Sequence, residues 1–124
     1  MKVLLDTNAL LWWLTNSPRL SDERKSLLAD PASTVYVSSV SAVEIAIKTS
    51  LGKLPPPPEP VAQAIARDGF EELPFTIEHG EAVAALPWHH KDPFDRMLIA
   101  QALVEGVPIM SGDHVFSLYG IQVV

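Results

Sequence analysis

Asp92-Pro93-Phe94-Asp95-Arg96-Met97-Leu98-Ile99-Ala100-Gln101-Ala102-Leu103-Val104-Glu105-Gly106-Val107-Pro108-Ile109-Met110-Ser111-Gly112-Asp113 contains a whole helix–strand unit with both ends of the helix marked. Asp92 suits a helix N-cap, Pro93 the first helical position, and Asp95 the first turn, where the helix dipole favours a negative charge. Met97, Leu98, Ala100 and Leu103 fall on one helical stripe, and Gly106 supplies the stop. The spacing predicts a helix over Pro93–Glu105 and a short apolar strand over Val107–Met110. Asp113 follows three residues later.

The same alternation extends outward. Short apolar runs predict strands at Val3–Leu5, Val35–Val37, Leu73–Phe75 and Ile121–Val124. Between them, Ser21–Ala29, Ser41–Leu51, Val61–Arg67 and Thr76–Leu86 read as helices, several bounded by Ser or by Gly. Strands alternating with helices imply an α/β domain with a mostly parallel, buried sheet, whose ligands gather beyond the carboxyl ends of the strands. Pro55–Pro58 cannot continue a helix and reads as a stiff extended connector rather than a ligand for a proline-binding module.

Length and composition bound the rest. The 124 residues fit one domain spanning 1–124, and 48% hydrophobic content supports a core without staples. The absence of Cys excludes disulfides, thiolate zinc sites, iron–sulfur clusters and a thiol nucleophile. No apolar run approaches the roughly 18 residues of a membrane span. The stretch before Asp6 is too short for a signal peptide, so a cytoplasmic protein is expected. Nine Lys+Arg against fifteen Asp+Glu give a net charge of −6, which argues against generic nucleic-acid binding unless some acids hold metal.

Four acids fall at strand ends or helix starts on one predicted edge: Asp6, Glu44, Asp95 and Asp113. Each has a structural reading. Ser41 and Glu44 fit a capping box, Asp92 and Asp95 fit the start of a helix, and Asp113 could cap a turn. Asp6 is harder to explain so, because it ends an apolar strand where an unpaired carboxylate is costly. Converging carboxylates repel by about 4 kcal/mol per pair at ~4 Å and an effective dielectric of ~20. Such a cluster needs protons, cations or metal, and hard oxygen donors favour Mg²⁺ or Mn²⁺. Thr7 and Asn8 could support a ligating carboxylate or cap the next helix, and Ser111 could hold a bound water or a phosphate oxygen. His89 and His90 read as an exposed loop more readily than as a catalytic base.

Leu4-Leu5-Asp6-Thr7-Asn8, Ser41-Ala42-Val43-Glu44-Ile45, Asp92 through Ala102 and Ser111-Gly112-Asp113 together resemble the PIN-domain nucleases, most closely the toxins of bacterial and archaeal toxin–antitoxin pairs of the virulence-associated protein C type. The resemblance runs over essentially the whole chain, and Asp-Pro-Phe-Asp-Arg leading into Leu-Ile-Ala-Gln-Ala is its most specific part. It implies a five-stranded parallel sheet with helices on both faces and a Mg²⁺- or Mn²⁺-dependent endoribonuclease. Asp6, Glu44, Asp95 and Asp113 fall on the family's acidic quartet, Asn8 and Ser111 on its polar positions, and Asp92 on an extra acid read as a cap. Such toxins are usually homodimers held inactive by an antitoxin.

The apolar segment Ala9–Leu14 is read either as simply buried or as an interface, with Trp12 and Trp13 as its anchors. Lys48, Lys91 and Arg96 are the candidate phosphate contacts. Two rivals stand beside the metal-dependent ribonuclease. A phosphotransferase using Asp6 as nucleophile resembles a motif that needs Asp where Asn8 stands. A catalytically inactive scaffold binding RNA or protein would not require the four acids.

Overall fold

A computed structural model describes residues 1–124. Its elements are β1 (Lys2–Leu5), α1 (Thr7–Leu14), α2 (Asp22–Ala29), β2 (Thr34–Ser38), α3 (Ser39–Ser50), α4 (Val61–Arg67), β3 (Glu71–Leu73), α5 (Ile77–Val83), α6 (Pro93–Glu105) and β4 (Ile109–Met110). A 3-10 helix, His114–Tyr119, follows β4. The sheet is parallel throughout, in the order β3-β2-β1-β4. From β1 the chain moves outward through β2 and β3, then returns through α5 and α6 to the other side of β1. Strand order therefore reverses at β1, which puts the usual ligand crevice at its carboxyl end.

β1 is buried on both faces, as its continuous apolar run requires. Val3 and Leu5 join one core cluster with Leu10, Leu28, Val35, Val37 and Phe70. Leu4 joins the other, with Leu98, Ile99, Ile109 and Phe116. The result is a sheet between two helical layers, the α/β architecture expected.

Expectations change in detail, starting with the third strand, which runs Glu71–Leu73 rather than Leu73–Phe75. The sheet has four strands rather than five, because Ile121–Val124 makes a single parallel bridge, Val123 to Ile109, instead of a strand. Burial on α6 is also wider than a single stripe, because Leu98 to Ala102 are covered in succession. Leu98, Ile99, Ala100 and Ala102 are buried, whereas Leu103 is exposed. Gly106, at φ 66°, closes α6 in the left-handed conformation that glycine adopts freely.

Candidate active site

Asp6 leaves the sheet and starts a helix at the same point. Its backbone N–H donates to Met110 O at 3.0 Å, and its Oδ1 accepts from Ala9 N at 2.7 Å, capping α1. The residue is 4% exposed. Burial pushes its carboxyl above the usual carboxylate range. The Ser111 hydroxyl and the Ala9 N–H pull it down, while the charges of Glu44 and Asp113 push it further up.

Glu44 faces the same point from α3, but not through a capping box. Ser38, the last residue of β2, caps α3 by accepting from Val40 N at 3.0 Å, so strand runs into helix without a loop. Ser41 is thereby buried, and Glu44 falls in the second turn. Thr7 Oγ1 donates to Glu44 Oε1 at 2.6 Å and lies 3.0 Å from Ser41 Oγ. Thr7 has one hydroxyl proton, so Ser41 is the donor between the two. Lys48 Nζ donates to Glu44 Oε2 at 2.6 Å, and this bond holds the ammonium above its ordinary pKa.

Asp92 and Asp95 behave as the sequence suggests. Asp92 Oδ1 accepts from Phe94 N and Asp95 N at 2.9 and 3.0 Å. Asp95 is pushed up to about 7, first by burial, then by the charge of Asp92, with Glu44 and Asp6 adding to it and His90 opposing. Asp113 caps the 3-10 helix through Val115 N, and its own N–H donates to Ser111 Oγ at 2.9 Å.

His90, expected in an exposed loop, instead sits half-buried among the acids. Its Nε2 lies 3.0 Å from Asp95 Oδ2 and 3.6 Å from Asp113 Oδ2. Its Nδ1 accepts from Asp92 N at 3.1 Å, so the neutral ring carries its proton on Nε2, facing both acids. Tyr119 Oη accepts from His90 N at 2.7 Å, and Phe116 packs edge-on against the ring. These anchors lie 26–29 residues away in the chain, and no local pattern announces them.

The PIN-domain family profile matches residues 3–121. The chain belongs to the PIN-domain family. Among solved structures, this PIN domain is similar to the VapBC2 complex of Rickettsia felis bound to a promoter DNA fragment, with 14% identity, a TM-score of 0.70, and coverage of 100% of this chain and 98% of that one. It is also similar to the DNA-bound VapBC of Salmonella typhimurium, with 20% identity, a TM-score of 0.71, and coverage of 100% and 97%. A toxin-antitoxin complex from Klebsiella pneumoniae gives 18%, 0.64, and 98% and 95%. At these identities the likeness establishes the fold. No curated protein matches the chain significantly.

The other predicted positions in this PIN domain divide sharply. Asn8 is exposed at a cleft of about 300 Å³ that it shares with Thr7, Leu11, Glu44, Lys48 and Lys53. Lys53, just after the α3 stop at Gly52, joins Lys48 there and was not singled out from sequence. Lys91 is exposed. Arg96 is not a free phosphate contact. It is 4% exposed, and its guanidinium donates to the carbonyls of Pro87, His90, Val83 and Leu86 at 2.8–3.4 Å. Trp12 and Trp13 are half-buried. Trp12 packs over Gly112, and Trp13 stacks near Phe70 while its Nε1 donates to Asp68 at 2.9 Å.

The PIN domain's acids suit a divalent cation by donor chemistry. They are hard oxygens, and both Asp6 and Asp95 are raised by burial with their neighbours' charges adding to the shift. No three of the His, Asp and Glu side chains stand close enough to form a closed centre.

Proposed function

We propose that this PIN domain is a metal-dependent endoribonuclease acting as the toxin of a toxin–antitoxin pair. The observation that carries the reading is the set Asp6, Glu44, Asp95 and Asp113 at one sheet edge, with negative charge that Lys48 alone does not balance. Those four carboxylates would hold Mg²⁺ or Mn²⁺. Such an ion, when bound, lowers the pKa of an attacking water and offsets charge on the phosphodiester as it is cleaved.

The chain's own side chains prepare this chemistry. Thr7 and Lys48 fix the two oxygens of Glu44, and Ala9 N–H and Ser111 hold Asp6. Asp92 seats the start of α6 and so aims Asp95. His90 acts as a positioning residue between Asp95 and Asp113. Lys48, Lys53 and Lys91 supply cations for backbone phosphates, and Asn8 a polar contact at the cleft mouth. Cation neutralisation at the acids answers the objection raised by the net charge of −6.

The toxin assignment is supported by the similarity to VapBC complexes and implies a cognate antitoxin, a homodimer and a cytoplasmic site of action. Val43, Ile47 and Leu51, four residues apart on and just beyond α3, are exposed and offer an apolar face for such a partner. No helix is long and apolar enough to cross a membrane.

The test is cleavage of a mixed RNA pool by partner-free protein, with and without Mg²⁺ or Mn²⁺, beside Asp6→Asn and Asp95→Asn. Discrete, metal-dependent products lost in both folded variants support the reading. Full activity in either folded, metal-saturated variant contradicts the assignment.

A further inference from the structure

Trp88 has no role in the site described above, yet it is built into the molecule beside it. Its side chain is 76% exposed. The Arg96 guanidinium carbon lies 3.8 Å from the indole centroid, so one face of the ring is covered while the residue as a whole stays open to solvent. That guanidinium is itself fixed by four carbonyls of the Val83–His90 segment. The ring is therefore a buttressed shelf rather than a loose loop side chain.

Its place and surroundings select a ligand. Two residues on, His90 touches Asp95 and Asp113. The Cα atoms of Trp88 and His90 are at most about 7 Å apart, given the reach of the chain. Trp88 is thus within about a nucleotide's length, by backbone, of the residue that touches the acids. The exposed residues around it in the chain are Ala84, Ala85 and Pro87 before it and His89 and Lys91 after it. A flat ring backed by a guanidinium, with His89 and Lys91 beside it, suits a base with a π-face.

We propose that Trp88, backed by Arg96, is a stacking platform for an unpaired nucleobase of single-stranded RNA next to the scissile phosphate. This rests on the ribonuclease reading above. Trp88 binds and orders the strand and takes no part in the chemical step, so it acts on KM more than on kcat.

The experiment pairs binding with cleavage. Short oligoadenylate should quench the indole fluorescence of the wild-type protein, and the quench should vanish in Trp88→Phe, which still stacks. Trp88→Ala should weaken oligoadenylate binding about tenfold. It should raise KM for the RNA pool to a similar extent at nearly unchanged kcat, and Trp88→Tyr should restore it. An abasic sugar–phosphate oligomer should bind wild type and Trp88→Ala alike. A folded Trp88→Ala with wild-type affinity and KM overturns the platform, as does a variant that loses only its affinity for a co-expressed antitoxin. Quenching through Trp88 without metal-dependent cleavage of any RNA would instead support the platform and count against the ribonuclease reading.

Discussion

Asp95→Asn should remove activity and strengthen the metal-free fold, because the wild-type carboxylate is held where its charge is disfavoured. Its carboxyl rises from 3.8 to about 7 on folding. Between these values the folded state binds a proton that the unfolded state has released, so stability falls as pH rises through that window and the penalty is complete above it. At about 1.4 kcal/mol per pH unit the ceiling is about 4 kcal/mol. Relaxation and water at a side chain 23% exposed reduce it to about 1–2 kcal/mol. With an unfolding entropy of roughly 2 cal/mol/K per residue, each kcal/mol moves the Tm of a domain this size by about 4 °C. In chelator at pH 8, Asp95→Asn should melt about 4–8 °C above wild type, and the gap should close by about pH 4. Thermal unfolding across pH, followed by circular dichroism, reads this directly. A variant less stable than wild type at pH 8, or a gap independent of pH, refutes the reasoning.

Other perturbations have equally definite outcomes. Arg96→Lys keeps the charge but loses the planar fork that reaches four carbonyls; it should cost about 2 kcal/mol in urea unfolding, and a change within about 0.5 kcal/mol would reject that role. Gly112→Ala places a Cβ 2.8 Å from Trp12 Cη2, so either the rigid indole or the backbone must move. A loss of about 1–3 kcal/mol is expected by thermal melting. His90→Ala removes the N–H shared by Asp95 and Asp113 and should weaken Mn²⁺ binding or activity about 10- to 100-fold by calorimetry and cleavage assay, whereas unchanged values would exclude the positioning role.

Legibility in the sequence followed the range of the interaction that decides each feature. Asp92-Pro93-Phe94-Asp95 carries its own capping geometry, so α6 and the placement of Asp95 could be read locally. Asp6 could be read because a carboxylate at the end of a buried strand has few structural explanations, although its capping of α1 escaped notice. The Ser41 cap failed because Ser38 and Ser39 offered hydroxyls earlier, and packing of Ser41 against Thr7 decided between them. Arg96 looked like a surface cation until the Val83–His90 segment folded over it. Ile121–Val124 has strand composition, but only one bridge forms against β4, which is itself two residues long.

If the four acids form one cation-binding centre, calorimetric titration of the partner-free protein with Mn²⁺ at pH 6 detects it. Comparing two buffers of different ionisation enthalpy counts the protons displaced. Saturable binding that releases about one proton, chiefly from Asp95, is expected. That release should disappear in Asp95→Asn, and binding itself should be lost in Asp6→Asn. Absence of binding in the wild type, or binding that survives Asp6→Asn unchanged, would contradict such a centre.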